Sequence, residues 1–210
     1  MSTSNLLQEI EKFLEQVIEK DNTSAPVKTD IVSGKLNQSQ EAKLEDAFDG
    51  WQAPIKGEFY NSGAFGIGDA RHGGKHNGVD LRASGGTNAY PIGVGIVENV
   101  ASWEKGGNVI TILHPKGVRT YYAHMGTIAV KPGQFVDRDT VIGSLGASGN
   151  AKNTFPHIHL ETKVNGSLVD PGNFFNVPPY TKVDKDRERA WLSDDHKRQA
   201  LNFDVKQYLF

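Results

Sequence analysis

Residues 156–161 read PHIHLE, and the reading of this stretch decides the fold. His157 and His159 stand two apart, with Ile158 between them and Leu160 beyond. On a strand, successive side chains leave opposite faces, so the two imidazoles share one face and the two aliphatic chains the other. An apolar back and a two-histidine front describe a strand that walls a cleft. Upstream, HNGVDLR (76–82) carries Gly78, which argues against a helix, followed by Val79 and Leu81 alternating with Asp80 and Arg82. That is a half-buried strand on which Asp80 faces away from the core, as a ligand would. Around these two segments lie IGVGIVENV (92–100), NVITILHP (108–115), RTYYAHM (119–125) and TVIGSLG (140–146), short apolar runs at spacings suited to antiparallel strands. Tyr121 and Tyr122 alternate along one of them, which assigns one ring to the core and the other to the cleft. Glycine makes up 23 of the 210 residues, above the roughly 7% of average proteins, and is concentrated between 57 and 149. The glycine-rich stretches GAFGIG (63–68) and GSLGASG (143–149) read as tight β turns. Neither leads into an apolar-periodic helix or a Gly-Lys-Ser/Thr ending, as a phosphate loop would.

The composition narrows the functional classes. Lys and Arg number 23 against 25 Asp and Glu, a net charge of -2. This lacks the basic excess of a phosphate-backbone binder, so nucleic acid is not an expected partner. No apolar run reaches the 18 residues of a transmembrane segment. The absence of cysteine excludes disulfides, thiolate catalysis and cysteine-held zinc together, leaving His, Asp and Glu as the available metal ligands.

Outside the β-like region the texture is helical. Leu6, Leu7, Ile10, Phe13, Leu14, Val17 and Ile18 recur at helical spacing over 5–20. With no more than two apolar residues in succession, this stretch is an amphipathic helix and no signal peptide is visible. Residues 21–37 read as a linker and 38–49 as a second short helix ending at Gly50. The division is therefore an N-terminal helical appendage and linker (1–53), a main domain (54–177) and a C-terminal helical extension (178–210). The extension holds two short helices, the second capped by Ser193. In its tail, Phe203, Val205, Tyr208, Leu209 and Phe210 are apolar enough to dock on a body.

Seven histidines remain to be sorted: His72, His76, His114, His124, His157, His159 and His196. Two imidazoles, one carboxylate and an open position form a hydrolytic zinc site, and His76, Asp80 and one member of the 157/159 pair supply that set. The other member and His124 are candidates for moving protons and steadying an oxyanion. His72, His114 and His196 read as solvated surface. Glu161 shares a face with His159 and could orient a ligand, but reads as a solvated carboxylate.

HNGVD (76–80), YYAHM (121–125) and PHIHLE (156–161), in that order, resemble the lysostaphin-type zinc endopeptidases, also called LytM-type or M23 peptidases. The likeness extends to NSGAFGIGDARHGGKH (61–76), VKPGQFVDRDTVIGSLGASGNA (130–151) and VNGSLVDPGNFF (164–175), and covers about residues 54–177. It implies a mainly β fold: a small antiparallel β domain of the lysostaphin-type, duplicated hybrid motif kind, with helical appendages at both ends. By the same resemblance His76, Asp80 and His159 are the Zn2+ ligands, and His124 and His157 are the two nonligand catalytic histidines. The implied substrate is the peptide of bacterial peptidoglycan. D-alanyl cross-links are favoured over glycyl-glycine bonds by the near-neutral charge and the lack of an evident second wall-targeting module. The expected place of action is the cell envelope, periplasmic or extracellular, and nothing in the sequence sets an oligomeric state. A noncatalytic LytM-type regulatory module of the envelope is the alternative, although such relatives typically lose ligands and here all five positions are filled. A histidine phosphocarrier on a related β fold would need one reactive histidine instead of this ordered set. The chain departs from the commonest members in a longer loop, NAKNTF (150–155), which places Phe155 where glycine usually precedes proline.

Overall fold

The structure is a computed structural model that describes residues 36–69 and 74–181. Its main sheet has eight strands: β1 (Tyr60–Gly63), β2 (Val79–Arg82), β3 (Gly95–Trp103), β4 (Gly107–Leu113), β5 (Val118–Met125), β6 (Phe135–Val136), β7 (His157–Val164) and β8 (Ser167–Val169). They run in the order β1-β2-β7-β5-β4-β3-β6, and β8 pairs with β7. Every pairing is antiparallel. A three-stranded sheet (Asn88–Ala89, Gly143–Ser144, Thr127–Ile128) and a two-stranded one (Gly68–Asp69, Gly74–Lys75) complete the β structure. GAFGIG turns at Phe65–Gly66 as expected, whereas GSLGASG, read as a turn, forms the strand Gly143–Ser144 and leads into a 3-10 helix at Gly149–Ala151, because its backbone pairs with the neighbouring short strands.

One face of the main sheet covers the core. Ile158 and Leu160 of β7, Val79 and Leu81 of β2, Ile110 and Ile112 of β4 and Tyr122 of β5 are all fully buried there. Each such side chain contributes roughly 1.5–3 kcal/mol of hydrophobic stabilisation. Tyr122 is the core member of the tyrosine pair, and its hydroxyl accepts the Ile92 N–H at 2.9 Å. This buried polar group is thereby satisfied inside an otherwise apolar layer.

The second predicted helix is present as α1 (Gln38–Ala47). It opens with a capping box in which Asn37 and Gln40 each accept the other's backbone N–H. Its one fully buried residue, Leu44, packs on Val94 and Ile96, and Trp51 packs against the main core. The first helix, the linker up to residue 35 and the C-terminal helices with their tail lie outside the described residues.

Candidate metal and catalytic site

The opposite face of the sheet carries the polar residues. In the β2–β7 register Asp80 stands directly across from His159, and Ile158 and Leu160 stand across from Leu81 and Val79. The side-chain alternation read from the sequence is therefore realised on both strands. Two glycines make the approach possible. A Cβ at Gly78 would overlap the Leu160 carbonyl, and one at Gly63 would overlap the Asp80 carboxylate. The HNGVD motif thus needs its glycine so that β2 can lie close against β7. His76 comes from just before β2, with its backbone N–H bonded to the Ile67 carbonyl at 2.9 Å.

Three donor atoms converge. His159 Nδ1 lies 2.9 Å from Asp80 Oδ1, His76 Nε2 lies 3.1 Å from His159 Nδ1, and His76 Nε2 lies 3.3 Å from Asp80 Oδ1. Donors of a tetrahedral zinc with bonds of about 2.0–2.1 Å sit roughly 3.3 Å apart, so the triangle has the size of one face of such a tetrahedron. The remaining ring nitrogens point to acceptors. His76 Nδ1 donates to the Ala64 carbonyl at 3.1 Å, and His159 Nε2 lies 3.2 Å from Glu161 Oε1. Outer acceptors of this kind fix the tautomer that leaves the inner nitrogen able to ligate. Glu161 is therefore engaged with His159, a correction to its reading as a solvated carboxylate. Among the described residues His76, Asp80 and His159 form a group able to hold a metal ion.

The electrostatics fit that use. Burial would raise the Asp80 pKa, but hydrogen bonds from His159 and His76 prevail and hold the carboxylate well below its ordinary range. Burial would lower that of His159, yet its bonds to Asp80 and Glu161 raise it to about 9. Both shifts have one cause, carboxylates and imidazoles brought together so closely that the site favours positive charge, as a metal ligand set does.

His124 and His157 stand beside this triangle, their ring centroids 4.9 Å apart. His124 lies 6.0 Å from His159, centroid to centroid. A backbone irregularity sets the position of His124. Between Asn108↔Met125 and Ile110↔Tyr122 the β4–β5 ladder matches one residue of β4 with two of β5, and His124 takes the left-handed conformation (φ 62°). Such a bulge re-aims a side chain, at a cost of about 1–3 kcal/mol for a non-glycine residue. Ser148 fills the bulge: its hydroxyl donates to the Met125 carbonyl at 2.8 Å and accepts the Asn108 N–H at 2.9 Å. Its carbonyl accepts from His124 Nδ1 at 3.0 Å. His157 Nδ1 donates to the Phe155 carbonyl at 2.9 Å, which also accepts from Arg82 Nη1 at 3.1 Å. Both rings, when neutral, thus present Nε2 as the basic nitrogen. Burial drives the His157 pKa down to about 3, so this ring is uncharged at neutral pH.

Phe155, the residue that departs from the commonest family pattern, is fully buried, and the Arg82 guanidinium lies 5.5 Å from its ring centroid. His114 is also buried, a correction to its reading as surface. Its Nδ1 donates to the Val94 carbonyl at 2.9 Å and its Nε2 accepts from the Thr120 hydroxyl at 2.7 Å. His72 and His196 lie outside the described residues. Sequence reasoning gave no sign of the Ala64, Ser148 and Phe155 carbonyls, because backbone acceptors leave no mark in residue types. The left-handed turn at His124 was equally invisible.

An antiparallel sheet that brings two histidines and an aspartate to ligand spacing, with two more histidines alongside, defines a metallopeptidase-type centre. Residues 74–171 match Peptidase family M23, and the chain belongs to this family of zinc metallopeptidases, the lysostaphin-type group. It is 36% identical over 127 residues to the peptidoglycan DD-endopeptidase ShyA of Vibrio cholerae, a match covering 60% of this chain and 28% of that protein. It is 32% identical over 127 residues to the DD-carboxypeptidase/endopeptidase Mpg of Neisseria meningitidis, with the same two coverages. The matched region thus spans little more than a quarter of these curated relatives. Among solved structures, a zinc-containing peptidase from Vibrio cholerae superposes with a TM-score of 0.53 at 30% identity, covering 58% of this chain and 39% of that one. The catalytic domain of the prophage-encoded M23 protein EnpA from Enterococcus faecalis, in a variant form, gives 0.50 at 31% identity, covering 57% and 94%.

Proposed function

We propose that the protein is a zinc-dependent endopeptidase that hydrolyses peptide cross-links of bacterial peptidoglycan, with D-alanyl bonds favoured over glycyl-glycine bonds. The observation that carries this reading is the donor triangle of His76 Nε2, Asp80 Oδ1 and His159 Nδ1, with edges of 2.9–3.3 Å. These three residues would hold Zn2+. Bound there, the ion would supply Lewis acidity that polarises the scissile carbonyl and makes water nucleophilic near neutral pH. Glu161 and the Ala64 carbonyl orient the two ligand rings. His157 and His124, whose Nδ1 atoms are held by the Phe155 and Ser148 carbonyls, both present a basic Nε2, and this pair takes the proton of the attacking water. The N–H formed when one Nε2 takes the proton then donates to the oxygen that gains negative charge in the tetrahedral centre. Residues 54–177 are the catalytic unit in this reading. The two DD-endopeptidase-type relatives support the D-alanyl preference, and a peptidoglycan substrate favours work in the cell envelope, in the periplasm or outside the cell. No described helix is long and apolar enough to cross a membrane.

The alternative, a noncatalytic regulatory module, is less well supported because such relatives typically lose ligands, whereas here all three donors meet. A digest of chemically defined cross-linked peptidoglycan, with and without chelator and read by mass spectrometry, tests the proposal. Loss of cross-linked dimers that stops with chelator and returns with zinc is the expected result. Cleavage that persists in excess chelator would overturn the metal mechanism, and intact dimers from a chain that binds no zinc would favour the regulatory module.

A further inference from the structure

The histidine face of the sheet continues past the metal site into a groove of about 400 Å³ whose lining includes Glu98, Trp103, Arg119, Tyr121, Glu161 and Lys163. Register explains the continuity. His159, Glu161 and Lys163 project from the same face of β7, and Tyr121 and Arg119 of β5 stand across from Glu161 and Lys163. At about 3.3 Å per residue, Glu161 and Lys163 lie roughly 7 and 13 Å along the strand from His159. That is the reach of two to four residues of an extended peptide whose scissile bond sits at the metal.

The groove has an aromatic wall and a charged floor. Trp103, half exposed, stacks on Tyr121 with centroids 5.9 Å apart and planes 21° from parallel. Its acids are committed: Glu98 binds Arg119 in a two-pronged pair at 2.7 and 2.9 Å, and Glu161 faces His159. Lys163, partly buried, acts on Glu161 through its charge but makes no direct ion pair with a described acid. An ammonium ligand would have to displace an existing pair, whereas a carboxylate meets an ammonium that no described acid contacts directly.

We propose that this groove is a substrate subsite for a carboxylate-bearing residue of the peptide, two to four residues from the scissile bond. Lys163 pairs with the carboxylate and the Trp103–Tyr121 stack supports the chain beside it. This rests on the endopeptidase reading and deepens it. Stem peptides joined by D-alanyl links carry free carboxylates at such distances, whereas a run of glycines offers the groove neither charge nor side chain.

The test uses the zinc-loaded full chain and two synthetic D-alanyl cross-linked peptide dimers, one with the free stem carboxylate and one with that carboxylate amidated. Lys163→Met is expected to raise KM for the acid peptide about 5- to 10-fold, with kcat unchanged and KM for the amide peptide unmoved. Trp103→Ala is expected to raise KM for both. Equal effects of Lys163→Met on the two peptides, or none, would overturn the proposal. If the wild type cleaves neither peptide, the endopeptidase reading fails. The groove is then judged by titrating the same peptides and following tryptophan fluorescence, with Trp103→Phe assigning the signal. An acid preference lost in Lys163→Met supports the subsite. Equal affinity for acid and amide, or a response only to a peptide-free glycan fragment, overturns it.

Discussion

The protein buries histidine in two settings, and the contrast shows what makes such a residue structural or chemical. His114 closes both nitrogens on neutral partners, the Val94 carbonyl and the Thr120 hydroxyl, with the edge of Trp51 nearby. At the other setting His76, His124 and His157 also give one N–H to a backbone carbonyl, yet the cluster converges on Asp80 and Glu161. Burial is alike in the two places. A closed neutral network holds structure, while converging rings around a carboxylate create a place for a cation and a route for protons.

The largest effect that tests this contrast is on turnover. His124→Ala and His157→Ala are each expected to lower kcat by about 10²- to 10⁴-fold, with one Zn2+ per chain retained. A variant at either position with normal kcat would place that ring on the structural side of the comparison. The opposite signature belongs to His114, whose burial lowers its pKa to about 4. The unfolded chain takes up this proton near pH 6.5 and the folded chain only near pH 4, so in between the unfolded state binds more protons. The stability His114 contributes is therefore complete above about pH 6.5 and is lost as the pH falls towards 4, by about 3 kcal/mol. Urea midpoints measured across this window should fall more steeply for the wild type than for His114→Gln, and parallel curves would refute the assignment. Glu161→Gln is the smallest change. It keeps the shape and an acceptor oxygen but removes the charge facing His159, and is expected to weaken zinc affinity about 10- to 100-fold, as read by competition with a chromophoric chelator. Unchanged affinity would return Glu161 to the solvated role its sequence suggested.

Much of this was legible in the sequence where a period governs the geometry. The alternation in PHIHLE and HNGVDLR placed eight side chains on the correct faces, and Asp80 opposite His159 follows once the two strands pair. What stayed hidden depends on tertiary contacts with no period. His114 follows an apolar strand and reads like any polar residue at its end; only the Val94 carbonyl and Thr120, brought close by folding, make burial tolerable. The aim of His124 depends on one extra residue in β5 and on Ser148, 24 positions away. Glu161 was placed on the right face, but its bond to His159 depends on ring orientation, which spacing cannot supply.

The most direct measurement is the zinc bound per chain after exhaustive dialysis, compared across single variants of the buried acid and histidines. Binding lost in His76→Ala, Asp80→Ala and His159→Ala, and kept in His124→Ala, His157→Ala and His114→Gln, is the predicted pattern. Zinc retained by Asp80→Ala, or lost to the same extent in His124→Ala, would contradict the division between the residues that hold the metal and those that move the proton.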